Sequence, residues 1–338
     1  MAALQRRAWL AGVGALVLLP PVAAAARRET RWLFGSPAEL LLPAHASSAA
    51  SDEVWAGLTL LDRRWNAWKP GDVSDLNAAL RAGRAHTVTP ALAAMLKDAT
   101  AFEAASQGCF NAAIGGLVSA WGFHDDRMRP GTRPRDDVLA RWTAARPTLA
   151  SLQWRGLSVH SAQRRLQVDL GACAKGFALD WALDLLARRG EGNALLNLGG
   201  NLAARGGLEN GPWRVGIRDP HGPGLAATLV LESDEAVVTS GTYERWRLLD
   251  GQRCTHIIDP ASGRTVTGLD SVTVVHRRAA LADAAATALL VAGPQRWAQV
   301  AQLMGVDQAL VIDRQGRRVA TPRLRPRVRP LTHNVADR

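Results

Sequence analysis

Two oxygen-bearing side chains, Asp283 and Thr287, are four positions apart in an apolar stretch. Residues with this spacing are neighbours on one face of a helix, and the apolar positions around them predict that this helix is buried. A buried carboxylate has to be paired or bound to a metal. A carboxylate beside a hydroxyl suits a hard cation such as Mg²⁺, which also binds phosphates. The alternative is that Asp283 caps the start of the helix, a common position for aspartate.

A second segment, residues 168–180, joins a predicted strand to a predicted helix through a glycine-containing turn. The N-terminus of a helix presents free backbone N–H groups to anions, and Lys175 adds a positive charge in the first turns. This combination predicts a diphosphate site. An ordinary strand-to-helix turn capped by Asp169 explains the same residues, because glycine and aspartate are common in turns.

Three further segments place polar residues and glycines at strand ends. Gly199 and Gly200 either let a ligand approach or form a hairpin or bulge. Residues 239–241, Thr-Ser-Gly, could bind phosphate oxygens or cap a turn. His256 begins a short predicted strand that residues 259–263 close with a turn. A lone histidine is usually structural, but one that faces a phosphate would be the usual base at neutral pH.

Hydrophobic periodicity predicts the elements that carry these segments. Helices are predicted near residues 51–66, 74–82, 90–106, 139–145, 174–189, 281–291 and 294–304. Strands are predicted at 33–42, 194–198, 213–217, 227–231, 236–240, 256–258, 272–275 and 309–312, with a hairpin over 157–170. Helices dominate the first half and strands the second. This order predicts an α+β fold in which helices pack on mixed sheets.

The composition suits a folded domain, since 47% of the 338 residues are hydrophobic. No linker or repeat divides the chain, so residues 27–321 are predicted to form a single domain. The net charge of +11 comes from scattered arginines, except for a cluster between Pro322 and Pro330. Proline-rich basic segments of this kind rarely fold, so residues 322–338 are predicted to be a solvated tail. No basic helix with interleaved aromatic residues is present, and nucleic-acid binding is therefore not expected.

The first 26 residues are typical of an export signal. Arg6 and Arg7 precede an uncharged apolar run that ends in small residues, and paired arginines indicate the twin-arginine route. Cleavage and a periplasmic location are expected. The alternative is an uncleaved anchor that holds the protein at the inner membrane, because residues 8–26 approach the ~20 residues needed to span a bilayer.

The three cysteines are expected to be free thiols. Cys109, Cys173 and Cys254 are odd in number and form no CxxC or Cys/His spacing, which argues against a zinc site.

Taken together and in order, these segments resemble the FAD:protein FMN transferase family, also called ApbE. The matching segments are residues 168–176, 196–201, 213–220, 239–241, 256–263 and 282–287, with 68–77 and 108–123 upstream. The resemblance covers nearly the whole chain after the export signal. It implies a two-lobed fold with a flavin cleft between the lobes. The chain departs from the family pattern at Cys109, at Asn111 and Thr242, where aspartate is usual, and at Phe34-Gly35-Ser36, where the family has Met-Gly-Thr.

The resemblance implies a magnesium-dependent transfer of FMN from FAD to a threonine or serine of a target flavoprotein, with release of AMP. It implies FAD contacts from Phe34, Trp68, Cys109, Phe110, Asn111, Asp169, Lys175 and His256. It also implies that Mg²⁺ is held by the backbone carbonyl of Ala172 with Asp283 and Thr287. Lys175 would offset charge on the phosphoryl group, and His256 is the candidate base for the acceptor hydroxyl.

Two alternatives remain at this point. The first is a magnesium-dependent pyrophosphatase that hydrolyses FAD to FMN and AMP, with water in place of the acceptor hydroxyl. The second is a non-enzymatic FAD-binding protein, which would need neither His256 nor the Asp283 and Thr287 pair. Membrane contact is expected only through the export signal or through a membrane-bound target.

Overall fold

A computed structural model describes residues 15–17, 26–125, 127–208 and 211–330. Its helices are α1 (Ser48–Arg64), α2 (Asp72–Ala82), α3 (Pro90–Ala105), α4 (Gly115–Ala120), α5 (Asp136–Ala145), α6 (Ala174–Arg188) and α7 (Ala279–Leu303), with a 3₁₀ turn at Leu149–Ser151. Its strands are β1 (Ala15–Val17), β2 (Ala26–Leu33), β3 (Ser36–Pro43), β4 (His86–Thr87), β5 (Gln153–Arg155), β6 (Ser158–His160), β7 (Ala194–Leu198), β8 (Asn201–Arg205), β9 (Arg214–Arg218), β10 (Leu225–Val230), β11 (Glu235–Gly241), β12 (Trp246–Leu249), β13 (Gln252–Thr255), β14 (Leu269–His276), β15 (Ala309–Asp313), β16 (Arg318–Ala320) and β17 (Val328–Pro330). This is the α+β fold that the sequence predicts.

An eight-stranded sheet forms the centre of the molecule, in the order β16-β15-β14-β11-β8-β7-β3-β2. All of its neighbouring strands run antiparallel. Side chains alternate between its faces, as the pleat of a strand requires. In β3, Leu40 and Leu42 join one hydrophobic core and Leu41 joins another, and all three are fully buried. The sheet is therefore covered on both faces.

Helices cover one face and a small sheet covers the other. The larger core lies on the helix side, where α6 packs against both α1 and α7. The second core lies under the sheet β1-β9-β10-β17, which places Trp213 and Ile217 against the central strands. A third, smaller cluster joins α4 and α5 to the β12–β13 hairpin. The segment after His256 passes between this cluster and the helix-side core.

Several element boundaries differ from those expected. The predicted strand at 33–42 is a hairpin of β2 and β3, and the predicted hairpin at 157–170 is shorter and earlier, formed by β5 and β6. Residues 256–258 form only an isolated bridge, between Ile258 and Thr265. The two helices predicted at 281–304 are one helix, α7, broken at Gly293, whose φ of 71° and ψ of −177° are not helical. Pro294 follows and explains why the sequence divides there.

Residues 322–330 are not the solvated tail that the sequence predicts. Leu324 is fully buried in the second core, and β17 pairs with β10. Arg327 donates to Glu235 at 2.6 Å and to the backbone carbonyl of Val230 at 3.1 Å. The proline and arginine content misled the prediction, because Leu324 is buried and Arg327 pairs with the buried Glu235. Residues 331–338 lie outside the described residues.

The predicted export signal lies almost entirely outside the described residues. Of its length only Ala15–Val17, which pair with β9, and Ala26 are described. Among the helices that are described, none has the length and apolar character needed to cross a bilayer. The expectation of free thiols is confirmed, since Cys109, Cys173 and Cys254 are all free and buried.

Candidate active site

One cavity of about 770 Å³ brings together all eleven residues that the sequence singles out for flavin, metal or catalysis. They are Phe34, Trp68, Cys109, Phe110, Asn111, Asp169, Ala172, Lys175, His256, Asp283 and Thr287. The cavity lies between the helix-side core and the third cluster, which contributes Ile114, Phe123 and Ile258 to its wall. Its size is within the range of pockets that enclose whole small ligands. The structure shows this convergence, and the role of each residue stays a prediction.

Two tight hairpins meet at one side of the cavity. Phe34 and Gly35 connect β2 to β3 with φ of 52° and 67°, and Gly199 and Gly200 connect β7 to β8 with φ of 61° and 93°. Turns with positive φ at both central residues match the twist of the strands that they join. A Cβ on Gly199 would lie 2.3 Å from the Ser36 hydroxyl. The glycine pair thus forms a hairpin turn, and Gly199 lets this turn approach Ser36 of the other hairpin closely.

Asp283 is buried and firmly oriented in the cavity wall. Its Oδ2 accepts a hydrogen bond from the backbone N–H of Gly176 at 2.9 Å, and its Oδ1 accepts one from Asn201 Nδ2 at 2.9 Å. Burial raises the pKa of Asp283 to about 6, and the positive charge of Lys175 acts in the opposite direction. Asp283 is the fifth residue of α7, so the alternative that it caps this helix is wrong.

The start of α7 is fixed by a carboxylate that the sequence analysis did not assign. Asp180 accepts from the backbone N–H groups of Ala279 at 2.8 Å and Ala280 at 3.0 Å, which have no partner within the helix. Helices α6 and α7 also touch at Gly176, where a Cβ would lie 2.4 Å from the carbonyl oxygen of Ala279. This contact and the Asp180 cap set where Asp283 points.

The predicted metal ligands have the donor types that magnesium takes. Thr287 lies one turn after Asp283 and its hydroxyl is 3.2 Å from that of Ser240, while Ala172 lines the same cavity. In the described part of the chain no three His, Cys, Asp or Glu side chains form a metal cluster. The candidate set contains only one carboxylate and is completed by hydroxyl and backbone oxygens. Oxygen donors of this kind fit Mg²⁺, which usually keeps several waters and binds substrate phosphates as well.

His256 is held as a neutral imidazole. Its Nδ1 lies 3.0 Å from the carbonyl oxygen of Arg245, so Nδ1 carries the proton and Nε2 is left as the basic nitrogen. Burial, together with the nearby charges of Arg245 and Lys175, lowers the pKa of His256 to about 3. The Phe123 ring packs edge-on against it, with centroids 6.3 Å apart. Nε2 is therefore unprotonated at neutral pH and has a lone pair available as a hydrogen-bond acceptor.

Two buried carboxyl groups lie within electrostatic range of Lys175. The positive charge of Lys175 acts to lower the pKa of both Asp283 and Glu244. Burial has the larger effect and raises the pKa of Glu244 to about 7. Burial also raises the pKa of Asp169, which accepts from the backbone N–H of Gly171 at 2.9 Å. Asp169 does not cap α6, because the capping position is Cys173. Lys175 thus lies within electrostatic range of Asp283 and Glu244, and Asp169 lines the same cavity beside Trp68.

Aromatic residues also line the cavity. Trp68 and His124 lie with ring centroids 5.6 Å apart, and Phe34 and Trp32 line the same cavity. Trp32 is among the most exposed large hydrophobic residues, at 62%. A wall of this kind suits a planar ring.

Asn111 also has a local structural task. Its Nδ2 donates to the carbonyl oxygen of Pro147 at 2.9 Å, and its Oδ1 accepts from the backbone N–H of Ala113 at 2.7 Å. An aspartate could not make the first of these bonds, because a carboxylate has no hydrogen to donate. The asparagine at this position therefore matches the loop that packs against it.

Sequence reasoning missed Asn201, Glu244 and Asp180 as site residues, although it named the segments that contain them. Their partners lie far away along the chain, since Asn201 binds Asp283 and Asp180 binds Ala279. In the sequence, each of these residues is polar or charged and lies directly beside a buried strand or the start of a helix, which could have marked it as a candidate site residue. This feature alone does not identify the partner.

Comparison with known proteins identifies relatives. The ApbE family profile matches residues 34–310. An FAD:protein FMN transferase of Rhodobacter capsulatus is 43% identical over 268 residues, which cover 79% of this chain and 51% of that protein. One from Treponema pallidum is 39% identical over 253 residues, which cover 70% of this chain and 69% of that protein. The chain thus spans about half the length of the Rhodobacter relative.

Solved structures share the fold. The apo form of the flavinyl transferase ApbE of Pseudomonas stutzeri superposes with a TM-score of 0.76 at 27% identity, over 89% of this chain and 96% of that one. The ApbE protein of Thermotoga maritima gives a TM-score of 0.80 at 24% identity, over 89% and 99%. At this lower identity the likeness concerns the fold alone.

Proposed function

The chain belongs to the ApbE family, and we propose that it transfers FMN from FAD to a hydroxyl group of another protein, with release of AMP. The observation that carries this proposal is the convergence of eleven residues from separate segments on one cavity. The cavity combines aromatic side chains, which suit a flavin or adenine ring, with Lys175 and Asp283, which suit a diphosphate and its cation. Relatives that bear the name FAD:protein FMN transferase support the same reaction.

In this reaction the acceptor hydroxyl attacks the phosphorus of the FMN half of FAD. The new O–P bond forms, the P–O bond to AMP breaks, and AMP leaves as a phosphate anion. His256 Nε2 takes the hydroxyl proton, because its Nδ1 is engaged with the Arg245 carbonyl. Lys175 offsets the charge on the phosphoryl oxygens, which is the main task of the protein in such transfers.

We propose that Asp283, Thr287 and the Ala172 carbonyl hold Mg²⁺. Bound there, the ion would neutralise charge on the diphosphate. Asp283 is already oriented by Gly176 and Asn201, so its carboxylate needs little rearrangement to bind a cation. We expect Asp283→Ala to lose magnesium-dependent activity by at least about 100-fold, since it removes the only carboxylate of the set. Activity in this variant that is intact and independent of Mg²⁺ would refute the metal assignment.

Analysis of the reaction products tests the proposed function. The purified protein is incubated with FAD and Mg²⁺, with or without a tagged FMN-binding domain that carries an acceptor threonine, and nucleotides are separated by chromatography. We expect AMP to form only with the acceptor present, and FMN to be missing from the free nucleotides. Equal AMP and free FMN without acceptor would identify a pyrophosphatase. FAD that binds but stays intact would identify a non-enzymatic binding protein.

We also propose that the protein acts outside the cytoplasm, on a secreted or membrane-bound flavoprotein. The support is the N-terminal sequence, in which Arg6 and Arg7 precede an apolar run. Fractionation of cells that express the full chain tests this location. Recovery of the protein only from the cytoplasm would refute it.

A further inference from the structure

Glu244 is a carboxylate in the cavity wall that the proposed reaction does not use. It follows strand β11, three residues beyond Gly241, and lines the cavity. Its Oε1 atom is buried, and no group of the described residues donates a hydrogen bond to it. A buried acceptor without a donor destabilises a fold, so native proteins almost always satisfy such atoms. An oxygen of this kind in a binding cavity points to a donor on the ligand.

The neighbouring protein donors do not reach this oxygen. The Arg218 guanidinium lies 5.8 Å from the centre of the Tyr243 ring. Arg218 Nη1 is itself buried and makes no hydrogen bond to Glu244 Oε1. Glu244 is within electrostatic range of Lys175, Arg218 and Asp283, and we assign Lys175 and Asp283 to the diphosphate and its cation. The missing donor therefore belongs next to the diphosphate.

The chemistry of Glu244 Oε1 limits what that donor can be. An unpartnered carboxyl oxygen accepts hydrogen bonds, and its ionised form repels phosphate oxygens, so it favours groups that carry a hydrogen, such as hydroxyls. In FAD the groups that adjoin the diphosphate are the ribityl chain on the flavin side and the ribose on the adenine side. Both are polyols.

We propose that Glu244 forms a polyol subsite, in which its carboxylate accepts a hydrogen bond from a sugar hydroxyl of FAD that adjoins the diphosphate. This inference rests on the proposed function, because it takes FAD as the ligand. It adds a contact to the sugar portion of the ligand, distinct from the contacts that Lys175 and Asp283 make with the diphosphate and its cation. The ribityl chain and the ribose are the two sources of such a hydroxyl, and a choice of ligands distinguishes them.

The test compares Glu244→Gln with the wild type by calorimetric titration with FAD, FMN and ADP at constant Mg²⁺. FMN has only the ribityl chain and ADP only the ribose. We expect the Kd for FAD to rise about 10- to 100-fold, as for the loss of a hydrogen bond to a charged group. If the affinity for FMN falls by a similar factor and the affinity for ADP does not, the hydroxyl that binds Glu244 belongs to the ribityl chain. If ADP is weakened and FMN is not, the hydroxyl belongs to the ribose. An equal loss for all three ligands, or any other pattern, overturns the subsite.

A matched control and a second readout exclude a structural role. Glu103 is also buried but lies outside the cavity lining, and its Oε2 accepts from the backbone N–H of Leu149 at 3.0 Å. Glu103→Gln should leave all three Kd values unchanged. Without ligand, Glu244→Gln should have a Tm at least equal to that of the wild type, because it removes an unpartnered buried charge. A lower Tm would mean that Glu244 stabilises the fold, and it would overturn the proposal.

The wild type separates this inference from the proposed function. If the wild-type protein fails to bind FAD or to transfer FMN, the proposed function is wrong. If it does both and Glu244→Gln binds FAD as tightly, only the polyol subsite is wrong.

Discussion

His256 is the residue on which proton transfer depends in the proposed reaction. Its imidazole is neutral because burial and two nearby cations disfavour the charged form. Its tautomer is set by the Arg245 carbonyl. Both conditions come from the fold around His256, and the sequence shows neither. The residues alone could predict only that a histidine begins a short strand before a turn, and its role as candidate base came from the family resemblance.

Replacement of this histidine should separate binding from chemistry. We expect His256→Ala to bind FAD with a Kd near that of the wild type and to lose about 10²- to 10⁴-fold in transfer rate, the usual contribution of a general base. Single-turnover transfer to an acceptor domain and fluorescence titration with FAD measure the two effects. His45→Ala, on the exposed surface, is the control. Normal transfer by His256→Ala would remove the proposed role.

The same variant should change how stability depends on pH. The folded-state pKa of His256 lies below its ordinary value of 6.5, so the unfolded chain binds the proton more readily between about pH 6.5 and pH 3. Above this pH range the buried imidazole is neutral and does not oppose folding. As the pH falls through the range, proton binding to the unfolded chain lowers the free energy of unfolding. We expect the fall in Tm between about pH 7 and pH 4 to be smaller in His256→Ala than in the wild type. Equal falls would contradict the buried, neutral state.

At the scale of elements, the contact between α6 and α7 positions Asp283. The sequence predicted both helices and the shared face of Asp283 and Thr287, because a spacing of four residues is a local property. It could not predict that Gly176, which is 107 positions away, donates to Asp283. Long-range contacts of this kind depend on how the sheet brings the two helices together.

A side chain at this contact should disturb the site. The Cβ in Gly176→Ala would lie 2.4 Å from the Ala279 carbonyl oxygen, so the helices must move apart. We expect a loss of about 1–3 kcal/mol in the free energy of unfolding and a weaker response of activity to Mg²⁺. Urea unfolding and a magnesium titration measure these effects. Gly192→Ala is the matched control, since nothing lies within 4 Å of its added Cβ; similar behaviour of the two variants would refute the close contact.

At the scale of the whole molecule, two cores on opposite faces of one sheet hold the fold together. The α+β class could be predicted from the sequence, because the order of helices and strands follows from local hydrophobic patterns. The burial of residues 322–330 in the folded domain could not be predicted. The arginines of this segment resemble those of a disordered tail, yet Arg327 pairs with the buried Glu235. Only the folded chain shows that a buried carboxylate needs this partner.

Truncation of one side chain in this segment tests its structural role. Leu324 is fully buried against the second core, so we expect Leu324→Ala to lower the free energy of unfolding by about 2–5 kcal/mol. Arg325→Ala, at an exposed neighbour, should have no measurable effect. Denaturant unfolding compares the two variants. If Leu324→Ala is as stable as the wild type, residues 322–330 do not belong to the folded domain.

The central claim is that the cavity joins FMN covalently to another protein. The most direct measurement is the intact mass of an acceptor domain after incubation with the protein, FAD and Mg²⁺, with an acceptor that lacks its threonine hydroxyl as control. The account predicts a mass gain of one FMN less one water on the intact acceptor alone, with loss of the gain when Mg²⁺ is chelated. An acceptor of unchanged mass in a reaction that consumes FAD would contradict it.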